Sequence, residues 1–295
     1  MSNWGDFLQN SKVLLTDGGM GTMLFDSGLE FGDPPEAWNL EYPERVRDIH
    51  RRYLEAGAGL LLTNTFGGNR FRLGMHNLEN QVADFNRAGA EALRAEVDLH
   101  GRDALVAGDM GPSGEILAPL GDLKFAKAVS GFAEQAAALI EGGVDVIWIE
   151  TMSDLEEVRA AMEGVRRASP EIPIITTMTF DTRGHTMMGV SPENAVTTLV
   201  EAGAAGVGAN CGNGPDEILE VLSKMSIVSS NAILVAKSNA GVPELVKGRA
   251  VYGASPHDMA EYSIAVRDVG VRVIGGCCGS TPEHIEAMAS ALASD

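Results

Sequence analysis

Eight times along this chain a short apolar run is followed by a longer stretch with helical periodicity, and that repetition limits the fold more than any other feature. The apolar runs cover residues 13–16, 60–63, 104–107, 144–149, 172–178, 205–209, 232–236 and 271–274. Runs this short, apolar without alternation and followed by small or Gly-rich connections, read as strands covered on both faces. The helical patterns between and after them span 43–56, 81–97, 125–141, 154–167, 192–202, 216–225, 258–269 and 282–292. Eight strand-then-helix units in 295 residues predict an α/β protein built as a single-domain (β/α)8 TIM barrel over residues 1–295. A doubly wound open sheet is the competing arrangement, and the count of eight favours the barrel.

In such a barrel the residues beyond each strand converge on one mouth, so the strand ends hold the candidate chemistry. The first supplies Asp17-Gly18-Gly19, the second Asn64-Thr65-Phe66-Gly67-Gly68 and the third Asp109. The fourth supplies Glu150-Thr151, the sixth Asn210-Cys211, the seventh Lys237-Ser238-Asn239 and the eighth Cys277-Cys278. All three cysteines of the chain therefore fall at strand ends, and Cys277-Cys278 stands just before a helix start marked by Ser280, Pro282 and Glu283. The spacing of Ser280 and Glu283 predicts a capping box there, in which the helix dipole favours a thiolate. His284 is expected to face outward from the first turn of that helix.

An isolated Cys-Cys pair is ordinary packing, but three thiols meeting at one mouth match a zinc site with three protein ligands and a fourth position for substrate. Three thiolates leave such a centre with net negative charge, a weak Lewis acid that can hold another thiolate without quenching it. The implied chemistry is alkyl transfer to a substrate thiol, which ionises near pH 8.5 when free. Asp17 with its glycines and Glu150 are expected to hold the two ends of an amino acid. An odd number of cysteines closes no disulfide framework, and the N-terminus lacks a basic-then-apolar leader, so a reducing cytoplasm is expected. The formal charge of −19 argues against nucleic acid or an anionic membrane as partner, and no apolar stretch approaches the ~20 residues of a membrane span. A homo-oligomer is compatible with the sequence, which leaves its state open.

Taken in order, Asp17-Gly18-Gly19-Met20-Gly21-Thr22, Thr63-Asn64-Thr65-Phe66, Gly108-Asp109-Met110-Gly111-Pro112, Glu150-Thr151, Asn210-Cys211, Asn239-Ala240-Gly241 and Gly275-Gly276-Cys277-Cys278-Gly279 resemble the homocysteine S-methyltransferase family. That family includes betaine–homocysteine methyltransferases and the homocysteine domain of cobalamin-dependent methionine synthase. The resemblance implies zinc held by Cys211, Cys277 and Cys278, with homocysteine sulfur as the fourth ligand. It also implies an amino-acid end held by Asp17, Glu150 and the amides around Gly18 and Gly19. Asn64 and Asn210 are further candidate contacts. A chain ending at Asp295 is expected to draw its methyl group from a small diffusible donor or a separate protein. An onium donor, glycine betaine first, would sit in an aromatic cage for which Trp38 and Phe66 are the candidates. Gly67 and Thr151 stand where the animal betaine enzymes carry tyrosines, so S-methylmethionine, a dimethylsulfonio compound and a methylcobalamin protein stay open as donors. Two readings from other classes are a thiol-dependent lyase or hydrolase, for which no histidine lies at a strand end, and a non-catalytic amino-acid or zinc-binding protein.

Overall fold

A computed structural model describes residues 4–10, 13–101, 103–246 and 249–294. The strands are β1 Leu14–Leu15, β2 Leu60–Leu62, β3 Leu105–Met110, β4 Val146–Met152, β5 Ile174–Met178, β6 Gly206–Cys211, β7 Leu234–Ser238, β8 Pro243–Val246, β9 Arg249–Tyr252 and β10 Val271–Gly276. The helices are α1 Trp4–Asn10, α2 Met20–Asp26, α3 Trp38–Glu41, α4 Pro43–Glu55, α5 Arg70–Gly74, α6 Val82–His100, α7 Phe125–Glu141, α8 Leu155–Ala168, α9 Pro192–Glu201, α10 Pro215–Val228, α11 Pro256–Asp268 and α12 Pro282–Ala293.

Eight parallel strands form one sheet in the order β1-β10-β7-β6-β5-β4-β3-β2. The ends of that order meet through the Thr16–Leu60 bridge and the bond from Gly59 N–H to the Leu15 carbonyl, so the sheet curls into the expected (β/α)8 barrel. β8 and β9 form a separate antiparallel pair beyond the seventh strand. Inside the barrel, Leu14, Leu60, Leu62, Leu105, Ala107, Val146, Trp148, Ile175, Val235 and Val273 form one apolar cluster. The opposite-facing residues of the same strands, such as Leu61, Val106, Ile147 and Ala236, pack in a second, larger cluster with the helices. Both strand faces are thus apolar, which explains why the runs show no alternation. Trp4 of α1 joins the inner cluster, so α1 is a plug at one end of the barrel.

The strands run further toward their C-terminal ends than the apolar runs do. Asp109, Glu150, Asn210, Cys211, Lys237 and Ser238 lie within β3, β4, β6 and β7 and not beyond them. Apolar patterning stops where the strand enters a polar mouth, while the backbone ladder continues for two or three residues. The last helix starts at Pro282 as expected, but its cap differs from the one the Ser280–Glu283 spacing predicts. Thr281 is the N-cap in place of Ser280, with Pro282 at the first helical position and the His284 Nδ1 accepting from Thr281 N–H at 3.1 Å. His284 is consequently buried, with Nε2 3.0 Å from the Ala254 carbonyl, and does not face outward. Among the described residues no helix is long and apolar enough to cross a membrane.

Candidate active site

Period-two alternation continues from the inner apolar cluster straight into charge. Leu105 and Ala107 face the barrel interior, and so does Asp109 two residues on. Val146, Trp148 and then Glu150 follow the same rule on β4, as do Val235 and then Lys237 on β7. A layer of two carboxylates and one ammonium therefore rests on the Trp148 layer, with the Lys237 Nζ 5.5 Å from the indole centroid. Asp17 joins it from the end of β1. Its Oδ1 accepts from Lys237 Nζ at 2.9 Å and its Oδ2 from Leu62 N–H at 2.8 Å. The two side chains are 2–3% exposed.

Burial governs the titration of this layer. It lifts Glu150 to about 8 against the pull of Lys237, and it lifts Asp109 well above the usual carboxylate range, helped by the charge of Glu150. Asp17 is raised by burial although Lys237 and the Leu62 amide oppose the shift. Burial pushes Lys237 down, but Asp17 and Glu150 outweigh it and keep the ammonium charged. Asp109 Oδ1 and Glu150 Oε2 are buried without a hydrogen-bond partner among the described residues.

Beside this layer the three free thiols come together. Cys211 Sγ lies 3.0 Å from Cys277 Sγ, and the sulfurs of Cys211, Cys277 and Cys278 all fall within 4.8 Å of one another. Cys277 is placed by the bond from its N–H to the Ser238 carbonyl at 2.7 Å. The Asn239 side chain accepts from Cys278 N–H at 3.1 Å and donates to the Gly212 carbonyl at 2.8 Å, so Asn239 ties the loops carrying the thiols to each other. Cys211 adopts φ 60°, a left-handed conformation that turns its side chain out of the strand direction. Hydrogen bonds from Cys211 and Cys277 hold the Cys278 thiol down to about 3. The same contacts push Cys211 up, and three thiols this close ionise together only around a cation. A tetrahedral zinc ion with Zn–S bonds of about 2.3 Å sets its sulfurs about 3.8 Å apart, between the 3.0 Å of the Cys211–Cys277 pair and the 4.8 Å within which all three sulfurs lie. The donor set therefore fits zinc.

A cavity of about 420 Å³ opens on both groups. Its inner wall carries Asp17, Asp109, Glu150, Lys237 and the three cysteines, and its outer wall carries Pro35, Glu36, Phe66, Arg72, Met75 and His76. Gly18 and Gly19 line it as well, but the Gly19 N–H is spent on the Ser280 carbonyl at 2.9 Å, and Tyr53 Oη donates to that same oxygen at 2.8 Å. A Cβ at Gly18 would collide with this carbonyl and with the Tyr53 ring, which is why the turn is glycine. Met20 and Gly21, at the start of α2, line the cavity next to them.

The other sequence candidates divide. Phe66 lines the cavity, its ring packed flat on Gly111. Asn64 also lines it, yet its Nδ2 is engaged with the Pro35 carbonyl at 2.8 Å and Asn39 Oδ1 at 3.0 Å, so it holds the outer wall in place. Asn210 is bonded twice to Thr151, accepting from its N–H at 2.9 Å and donating to its Oγ1 at 2.7 Å. Trp38 does not reach the cavity. It is 5% exposed in the helix-packed core, 5.0 Å from the Tyr42 ring and under the Arg45 guanidinium at 5.1 Å, because α3 buries Trp38 and Asn39 and exposes Leu40. Lys237 and Asp109 were placed at strand ends by the sequence but given no role, and Glu36 was not singled out for the site. The first two were findable from their period-two phase with the apolar residues of β7 and β3.

Fold and site together define a class: a (β/α)8 barrel with a three-thiol, metal-fitting centre beside buried carboxylates at the C-terminal mouth. The chain matches the homocysteine S-methyltransferase family over residues 14–292 and belongs to it. It is 34% identical over 296 residues to the methionine synthase of Mycobacterium leprae and 34% over 298 residues to that of Mycobacterium tuberculosis. Each alignment covers 96% of this chain but only 24% and 25% of those proteins, so the chain spans about a quarter of their length. Among solved structures, the metallated form of the homocysteine methyltransferase MmuM from Escherichia coli superposes with a TM-score of 0.78 at 24% identity, covering 96% of this chain and 98% of that one. A methyltransferase from Methanosarcina mazei gives 0.61 at 13% identity, covering 96% and 94%. Both likenesses are of fold.

Proposed function

We propose that this protein transfers a methyl group from a small onium donor, glycine betaine first, to the thiol of homocysteine, giving methionine, with zinc held by Cys211, Cys277 and Cys278. The observation that carries this reading is the meeting, in one cavity, of three clustered sulfurs with two buried carboxylates that each keep one oxygen without a partner among the described residues. Bound zinc would supply a site where a substrate thiol stays ionised near neutral pH.

The rest is the work of the chain's own groups. Glu150 receives the ammonium of homocysteine, and the amides that open α2 face its carboxylate, an arrangement that points the thiol toward the cysteines. The homocysteine sulfur attacks the donor methyl carbon, the carbon–nitrogen bond breaks, and its electron pair remains on the nitrogen of the departing amine. The thiol proton leaves to solvent before attack. On the outer wall, Phe66 and the buried Glu36 suit an onium group, while Arg72 and His76 suit the carboxylate that glycine betaine also carries. Glu36 is fixed for this role by accepting from Gly67 N–H at 2.6 Å. The single barrel, residues 1–295, is thus read as the homocysteine-binding unit, working in the cytoplasm where its thiols stay reduced.

The test is a donor panel against zinc-loaded protein and homocysteine, scored by methionine formed. Glycine betaine is expected to support turnover; S-methylmethionine, a dimethylsulfonio compound or a methylcobalamin protein in its place would move the donor assignment. Binding of zinc and homocysteine with no methionine from any donor would leave the non-catalytic reading standing and remove this one.

A further inference from the structure

The outer wall of the cavity carries a cation without a fixed partner. Arg72 lines the cavity from α5, half-buried, and its guanidinium makes no hydrogen bond or ion pair among the described residues. In a chain with 41 acidic against 22 basic residues a guanidinium is easily paired, so this one stands out. Its place is nevertheless fixed by the chain around it. Asn69 Oδ1 accepts from Arg72 N–H at 3.0 Å at the start of α5, and Asn69 Nδ2 donates to the Pro112 carbonyl at 3.2 Å, which ties that start to the loop after β3. Gly114 of the same loop, at φ 80°, lies against the arginine stem: a Cβ there would stand 3.2 Å from Cδ and 3.3 Å from Nη1. Glu36 is within electrostatic reach of Arg72, yet its Oε1 is spent on Gly67 N–H at 2.6 Å and it closes no ion pair with the guanidinium. Five N–H donors in a planar fork are thus held at the edge of the cavity that the thiols share.

We propose that Arg72 is a specificity-determining residue for the methyl donor: its guanidinium binds a carboxylate on the donor, so the donors this cavity takes are zwitterions with both an onium group and a carboxylate. This rests on the reading above that the donor is an onium compound, and it deepens that reading by excluding onium compounds that lack a carboxylate, such as choline. A guanidinium fork meets both oxygens of a carboxylate at once, a match that a point charge does not copy. Phe66, whose ring lines the same cavity, is left for the onium end. The carboxylate of homocysteine does not compete for Arg72, because in that reading it faces the start of α2 while its thiol points to the cysteines of the inner wall.

The experiment offers the zinc-loaded full chain two methyl donors, glycine betaine and (carbamoylmethyl)trimethylammonium, which keeps the shape and the onium group but has an amide in place of the carboxylate. Methionine formed from homocysteine gives kcat and KM for each, and calorimetric titration gives the affinity for homocysteine. Chemistry alone favours the amide, whose amine product is the less basic leaving group, so a preference for glycine betaine must come from binding. The wild type is expected to show a KM for glycine betaine about tenfold or more below that for the amide. Arg72→Gln should raise the KM for glycine betaine about tenfold with kcat nearly kept, change that for the amide less than about twofold, and leave the affinity for homocysteine unaltered. Arg72→Lys should raise the KM for glycine betaine by less than Arg72→Gln does, since it keeps the charge and loses the fork. Equal KM values for the two donors in the wild type, a preference that survives in Arg72→Gln, or an equal loss of homocysteine affinity in that variant would overturn the assignment. Should the glutamine variant not fold, Arg72→Lys decides, and an unchanged KM for glycine betaine there overturns it. A wild type that binds homocysteine but makes methionine from neither compound removes the onium reading and this inference with it, an outcome distinct from turnover of both donors at equal KM.

Discussion

Replacing Lys237 by methionine tests whether the charge layer is a coupled unit. The side chains of Lys237 and Asp17 are 3% and 2% exposed and 2.9 Å apart, so Lys237→Met leaves Asp17 buried against an apolar thioether. With charge centres about 4 Å apart and an effective dielectric near 20, the lost attraction is about 4 kcal/mol. Removing one partner of a buried pair costs about 3–5 kcal/mol by the same logic, since the remaining charge must stay unpaired or take up a proton. Urea unfolding followed by circular dichroism, with zinc buffered at one level for all variants, reads this directly. For a slope of roughly 3 kcal/mol per molar, the midpoint should fall by about 1.3 M. Asp17→Asn on top of Lys237→Met removes the stranded charge yet keeps an acceptor for the Leu62 amide, and should restore about half of the loss. A single variant within 1 kcal/mol of wild type, or a double variant no more stable than the single, refutes the idea that Asp17 is held in the layer by Lys237.

Cys277→Ala should lower bound zinc from about one ion per chain to near zero and abolish methyl transfer with it; unchanged metal content by atomic absorption would end the zinc assignment. His50 is fully buried with neither ring nitrogen partnered among the described residues, and burial lowers its pKa to about 3 from an ordinary 6.5. The unfolded chain therefore takes up this proton first, so stability present above pH 6.5 is lost as pH falls toward 3. At pH 4.5 the loss is about 2–3 kcal/mol, which His50→Leu should abolish; equal acid sensitivity of the two proteins would exclude the effect. Trp4→Ala should destabilise by about 3–5 kcal/mol by opening the plugged end of the barrel, and a change below 1 kcal/mol in denaturant unfolding would show that α1 is not part of the core.

What the sequence carried plainly was whatever depends on burial over many residues. The eight apolar runs mark the strands because both faces of a barrel strand are apolar, and the long helices follow from their periodic patterns. The cysteines stood out because thiols are few and all three fall at strand ends. The ends of the strands were harder, since Asp109, Glu150 and Lys237 continue the ladder while breaking the apolar pattern. Short elements were invisible for a related reason. α3 has four residues, too few to show which side is apolar, so nothing in 38–41 told that Trp38 packs against Tyr42 and Arg45 and away from the cavity. Pairing was not legible either: Asp17 is bonded to a lysine far along the chain, a contact that depends on β1 and β7 flanking β10 in the closed sheet.

The same closure explains why strain gathers at one spot. Thr151 and Cys211 both have φ near 60°, and for a β-branched residue such as Thr151 this is a true steric outlier. Each position costs about 1–3 kcal/mol, so something must hold them. Asn210 does so from β6: two hydrogen bonds to Thr151, together worth about 2 kcal/mol, fix the residue after Glu150, while its own backbone leads into Cys211. Its Nδ2 also lies 3.6 Å from Cys211 Sγ and 3.9 Å from Cys277 Sγ. One side chain therefore sets both Glu150 and the sulfurs, the two groups that the proposed function assigns to the two ends of the substrate. That is a stronger reason for an asparagine at 210 than a direct substrate contact, because a clamp must be short, neutral and able both to donate and to accept.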